Sequence, residues 1–127
     1  MRYDRDIEDI DDHMKAVLRE KYRYLAFELI SEKKYDFGND KEKLRELERS
    51  INSELLHALG EIGLSKVMPR LILFNGKIGV IRTTTKGIDD LRTSIALMTS
   101  LEGGPAHLRS LLVSGTIAAL KRKLKLH

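Results

Sequence analysis

The chain has 127 residues and no cysteine, which excludes disulfides, thiolate zinc sites and cysteine-held iron–sulfur clusters. A reducing interior suits such a chain, and a cytoplasmic location is expected. Tryptophan is absent and Phe and Tyr are few, so Leu, Ile and Val must fill the core. No apolar run approaches the ~20 residues of a membrane span, and no membrane partner is expected. The opening Met1-Arg2-Tyr3-Asp4-Arg5-Asp6 has no signal-peptide apolar core. Enzyme signatures are also lacking. There is no Ser/His/Asp pattern, P-loop or dinucleotide glycine fingerprint, and His13, His57, His107 and His127 have no metal-ligand spacing. No metal or catalytic residue is expected in the protein itself.

Acidic charge is missing from one half. Residues 1–63 carry 12 Lys+Arg against 16 Asp+Glu, whereas residues 64–127 carry 11 against 3. The net +4 therefore hides a strongly basic C-terminal half that ends in Lys121-Arg122-Lys123-Leu124-Lys125. Clustered cations attract phosphate polyanions, which points first to nucleic acid and second to an acidic protein.

The length suits one domain. Residues 1–20 form an acidic arm or short helix, with Ile7, Ile10, Met14, Val17 and Leu18 at helical spacing, and residues 21–127 form the domain. Tyr22–Ser31 reads as a strand with Leu25, Phe27 and Leu29 on one face. Asn39 or Asp40 caps a helix whose apolar stripe is Leu44, Leu47, Ile51, Leu55, Ala58, Leu59 and Ile62. Glu42, Arg45, Glu46, Glu48 and Arg49 are expected on its wet side, and Gly60 and Gly63 at its end. Leu71–Phe74 and Lys77–Thr84 read as strands joined by an Asn75-Gly76 type I′ turn. A helix over Gly87–Leu101, a strand over His107–Val113 and a last helix after Ser114-Gly115-Thr116 complete the chain. This β-α-β-β-α-β order predicts an α+β, ferredoxin-like (RRM-like) sandwich with an additional C-terminal helix. Both long helices would cover one sheet face and leave the other open.

The last helix carries the leading site. Ser114 or Thr116 caps it, Gly115 lets a phosphate approach the backbone, and Lys121, Arg122, Lys123 and Lys125 are placed to grip a nucleic-acid backbone. The same residues also read as an ordinary cap with cations that complement the helix dipole. Arg82 and Arg109 extend the patch if the fold gathers them. Base stacking on the sheet is not expected. Tyr24 stands where an RNA-recognition motif has an aromatic, but Lys77–Arg82 offers none. Asp89 and Asp90 favour a helix N-terminus, and Asp9, Asp11 and Asp12 read as solvated acids.

Four stretches together resemble a family: Arg23-Tyr24-Leu25-Ala26-Phe27, Leu59-Gly60-Glu61-Ile62-Gly63, Gly79-Val80-Ile81-Arg82, and Val113-Ser114-Gly115-Thr116-Ile117 with Leu120-Lys121-Arg122-Lys123. They are similar to archaeal ribonuclease P protein component 2, which is related to a eukaryotic subunit of RNase P and RNase MRP. The resemblance spans roughly residues 21–125. The Asn75-Gly76 turn is tighter than is usual in the family, and the arm matches nothing in it. The resemblance implies a subunit that supports the RNase P RNA in removing the 5′ leader of precursor tRNA. The active site and its magnesium would lie on the RNA, and no cofactor on the protein. It implies pairing with a barrel-shaped subunit, component 3, in a two-fold assembly of such pairs. Tyr24, Ile72 and Ile81 are the expected partner contacts. The alternative readings are a dimeric ferredoxin-like regulator that binds a small ligand at a loop glycine such as Gly38 or Gly87, and a magnesium nuclease using the arm's carboxylates.

Overall fold

The computed structural model describes residues 21–35 and 40–125; the arm 1–20, Gly38, Asn39 and His127 lie outside the described residues. The chain runs β1 (Tyr22–Ser31), α1 (Lys41–Val67), β2 (Arg70–Phe74), β3 (Ile78–Thr84), α2 (Ile88–Leu97), β4 (Ser100–Leu101), β5 (Gly104–Ser114) and α3 (Ile117–Leu124). The antiparallel strands are ordered β2-β3-β1-β5-β4, so the first and third strands are central, as the ferredoxin-like order requires. Among the described residues no helix is long and apolar enough to cross a membrane.

Alternation along β1 builds two cores. Leu25, Phe27 and Leu29 are buried with Leu47, Ile51, Leu55, Leu91 and Ile95 of α1 and α2. Ala26 is buried on the opposite face with Val80 and Leu120, and Tyr24, Ile72, Leu112 and Leu124 pack around them. The second face is therefore not open: α3 lies on it, because Leu120 and Leu124 recur on one side of that helix. Gly79 sits against the Phe27 ring, and a Cβ there would meet ring carbon at 2.4 Å. Phe27 in turn stacks on Phe74, with ring centroids 6.3 Å apart.

Asp40 caps α1 by accepting from the N–H of Glu42 (3.0 Å) and Lys43 (3.3 Å). The helix breaks at Gly60, whose φ of 72° and ψ of 176° suit a residue without a Cβ. It then resumes to Val67, beyond the Gly60–Gly63 end expected from the sequence. The break turns Ile62 out of the apolar stripe, leaving it 79% exposed. Glu48, expected on the wet side, is buried. It accepts from the N–H of Leu71 at 2.8 Å and pairs with Arg45 (2.8 Å) and Arg70 (3.1 Å), fastening α1 to β2.

The β2–β3 hairpin forms, but not with a type I′ turn. Gly76 has positive φ (100°) and Asn75 does not. Instead the Asn75 N–H donates to the Ile78 carbonyl, and Asn75 Oδ1 accepts from the N–H of Lys77 and Ile78 at 3.0 and 2.7 Å. That side-chain closure makes a three-residue loop over 75–77. α2 ends at Leu97 rather than Leu101: Met98 is extended, and Leu101 belongs to β4. Glu102 and Gly103, both at positive φ (52° and 77°), turn the chain into β5, which begins three residues before His107.

Candidate nucleic-acid interface

Ser114 closes β5 opposite Tyr24, and the chain then turns through Gly115 into α3. Thr116 is the N-cap: its extended backbone (φ −141°, ψ 151°) lets Oγ1 accept from the N–H of Ala119 at 3.1 Å. One of the orphan donors at the helix start is thus satisfied by the chain itself. Ser114 Oγ accepts from the N–H of Thr116 at 3.5 Å, a long contact. Gly115 is exposed, and Arg23 Nη1 lies 3.7 Å from the position a Cβ would take there. Arg23 is the residue that sequence reasoning missed. Its place beside Gly115 depends on strand register, which no local pattern announces.

The other end of α3 carries the cations. Leu120 is fully buried, while Arg122, Lys123 and Lys125 are exposed and Lys121 is partly so. At ~100° per residue, Arg122 projects outermost with Lys121 and Lys123 on its flanks. Lys125 takes the left-handed conformation (φ 57°) that ends the helix, and its N–H donates to the carbonyl of Arg122. The cations fan around one short helix rather than line a cleft. Among the described residues, the ion pairs are those of Lys33, Arg45, Arg70, Lys77 and Arg109, and none engages Lys121, Arg122, Lys123 or Lys125.

The structure separates Arg82 from Arg109. Arg82 shares a cross-strand row with Tyr24 and Ser114, near the start of α3. Its guanidinium lies 4.4 Å from the centre of the Tyr22 ring, a cation–π contact. Its Nε is buried with no hydrogen-bond partner among the described residues. Arg109 lies five residues up β5 and donates to Glu28 at 3.1 Å, where Lys77 also approaches at 3.7 Å. It does not join the α3 group, because a carboxylate on the neighbouring strand engages it.

The expected partner contacts fare differently. Ile81 is 1% exposed within the helix-covered core, so it has no surface to offer a partner. Its register opposite Leu25 points it toward α1 and α2. Tyr24 and Ile72 are partly buried beside α3. Among the described residues no group of three or more His, Asp or Glu side chains gathers as metal ligands would.

Residues 23–125 match the sequence model of the Rpp14/Pop5 family. "Ribonuclease P protein component 2" of Thermococcus gammatolerans is 39% identical over 113 residues, covering 87% of this chain and 88% of that protein. The protein of that name from Pyrococcus horikoshii is 40% identical over 112 residues, with the same coverage. The one from Archaeoglobus fulgidus is 35% identical, covering 84% of this chain and 90% of its own. Among solved structures, a chain in the cryo-EM structure of yeast ribonuclease MRP shares the fold. Its TM-score is 0.58 at 18% identity, and the match covers 84% of this chain and 90% of that one.

Proposed function

The chain belongs to the Rpp14/Pop5 family, and from that membership we propose that it is a protein subunit of ribonuclease P that binds the enzyme's RNA through α3. The observation that carries the mechanism is the set of four cations at the end of α3, free of carboxylate partners among the described residues. Lysine and arginine in that state release condensed counterions when they meet a phosphate backbone. Neutralised phosphates let the RNA fold more closely and hold magnesium better. Removal of the 5′ leader from precursor tRNA would then run on the RNA, with the protein supplying position and charge rather than proton transfer. The backbone N–H groups beside Gly115, with the Arg23 guanidinium next to them, offer a second phosphate contact on the same helix. The protein acts in the cytoplasm with the barrel-shaped component 3, in a two-fold assembly of such pairs. The parts of Tyr24 and Ile72 left uncovered by α3 supply partner contacts.

The salt dependence of RNA binding tests this reading. Replacing Lys121, Arg122 and Lys123 together by Ala reduces the slope of log K against log salt by roughly one unit for each duplex phosphate that no longer meets a cation. An unchanged slope removes α3 from the interface.

A further inference from the structure

β3 brings no aromatic side chain to the sheet, but it brings a flat one. Arg82 is paired with Tyr24 in the row that leads to Ser114 and the start of α3. Its guanidinium lies over the Tyr22 ring, 4.4 Å from the ring centre. Both side chains are partly exposed, and neither packs on the second core that α3 covers. The state of Arg82 differs from that of the arginines that serve the fold. Arg45, Arg70 and Arg109 each meet a carboxylate. Among the described residues Arg82 meets none, and its buried Nε has no acceptor. A half-buried guanidinium that served packing alone would have its donors filled. Here the Tyr22 ring fixes the plane, and the nitrogens are left without an acceptor. Arg23, next in the chain to Tyr22, also meets no carboxylate among the described residues. Its Nη1 donates to the Tyr22 carbonyl at 3.1 Å and lies beside Gly115.

We infer that the Tyr22–Arg82 stack is a platform for one unpaired base of an RNA strand, with Arg23 at the phosphate beside it. This deepens the function proposed above and rests on it: the RNA that α3 holds by charge is held here by a base. Unstacked bases lie on guanidinium planes as they do on aromatic rings. Arginine adds its charge to that contact. Tyr22 is the positioning residue, since it keeps the plane of Arg82 flat against the sheet. The α3 cations lie at the far end of an eight-residue helix, ~12 Å from its start. A strand covers that distance in about three or four nucleotides, at ~3.4 Å each. Bases paired in a duplex are closed to the platform, so this site selects single-stranded RNA where α3 does not. A carboxylate from a protein partner would use the outer nitrogens of Arg82 without needing its plane, and the ring beneath that plane favours a base.

Full-length proteins and two probes test this: a short single-stranded RNA, and the duplex that the same strand forms with its complement. Arg82→Lys keeps the charge and removes the plane. The preference for single strand over duplex is expected to fall about tenfold in that variant, the effect of one lost stack. The salt slope for the single strand is expected to keep its natural value, because no charge is removed. Tyr22→Leu takes away the support of Arg82 and is expected to lower the same preference about threefold, and Tyr22→Phe to restore it. The Tyr22 pair carries the test alone if urea melts show Arg82→Lys to be unfolded. A folded Arg82→Lys protein that weakens on both probes equally, or on neither, would overturn the inference; the first result makes Arg82 a simple cation, and the second leaves it to a protein partner. Equal single-strand preference in Tyr22→Leu and Tyr22→Phe would overturn it as well. Replacing Lys121, Arg122 and Lys123 by Ala separates the two readings. If neither probe loses affinity in that triple variant while Arg82→Lys still lowers the single-strand preference, the α3 assignment fails and the platform stands.

Discussion

Glu48 shows how much one side chain decides in this domain. Its carboxylate is buried, accepts from the Leu71 N–H, and faces the guanidiniums of Arg45 and Arg70. Glu48→Ala leaves those donors without their acceptor and is expected to cost about 2–3 kcal/mol, read as a lower urea midpoint at unchanged m. Two glycines give opposite expectations. Gly79→Ala drives a methyl into the Phe27 ring at 2.4 Å, and overpacking of that kind costs about 1–3 kcal/mol. Gly115→Ala meets only Arg23 Nη1, at 3.7 Å, so the fold is unaffected. On the proposed function RNA affinity is nevertheless expected to fall, because the added methyl would stand where a phosphate approaches. Equal RNA affinity in a folded Gly115→Ala protein would remove the start of α3 from the interface.

At the scale of elements, α3 is held to the sheet chiefly through one side chain. Leu120→Ala removes the buried anchor of the second core. Amide exchange over residues 117–124 is then expected to accelerate while β1 stays protected, and on the proposed function RNA binding is expected to weaken although every cation is retained. The β4–β5 turn is held differently. Glu102 accepts from Lys33 at 2.6 Å, Ser50 at 2.9 Å and Tyr35 at 3.2 Å, joining the end of β1, α1 and the turn. The Lys33 hydrogen bond, ahead of those from Ser50 and Tyr35, holds the Glu102 carboxyl below its ordinary value of 4.5. A lowered carboxylate value means that the stabilisation is present at neutral pH and is lost as pH falls through the folded-state value. Urea melts of the natural protein and Glu102→Gln therefore converge on acidification, and a gap that persisted in acid would contradict this assignment. The apolar periods of β1, α1 and α2 made the strand and helix order legible in the sequence, because burial on one face leaves a direct imprint. Three features left no such imprint. Gly60 broke the α1 stripe, Asn75 closed its loop through its own side chain, and Glu48 looked like any other surface acid. Glu48 depends on partners distant in the chain, Gly60 on a backbone angle, and Asn75 on a side-chain closure that competes with the usual Asn-Gly turn. For the site, the α3 cations were legible because they are contiguous. The separation of Arg109 from Arg82, and the approach of Arg23 to Gly115, follow from strand register.

For the whole molecule, the distribution of charge matters more than its sum. One sheet face carries α1 and α2 over the main core, and the other carries α3, whose cations project away from the second core. On the proposed function, a subunit built in this way supports RNA structure by lowering repulsion, and its benefit is expected to be greatest where magnesium is scarce. The most direct measurement is cleavage of precursor tRNA by the ribonuclease P RNA with its protein subunits, across magnesium concentrations. The natural chain is compared with the Lys121→Ala, Arg122→Ala, Lys123→Ala protein. The natural chain is expected to restore cleavage at low magnesium, and the triple variant to do so only when magnesium is raised. Equal rescue by both proteins at low magnesium would contradict the assignment of α3 as the RNA-binding element.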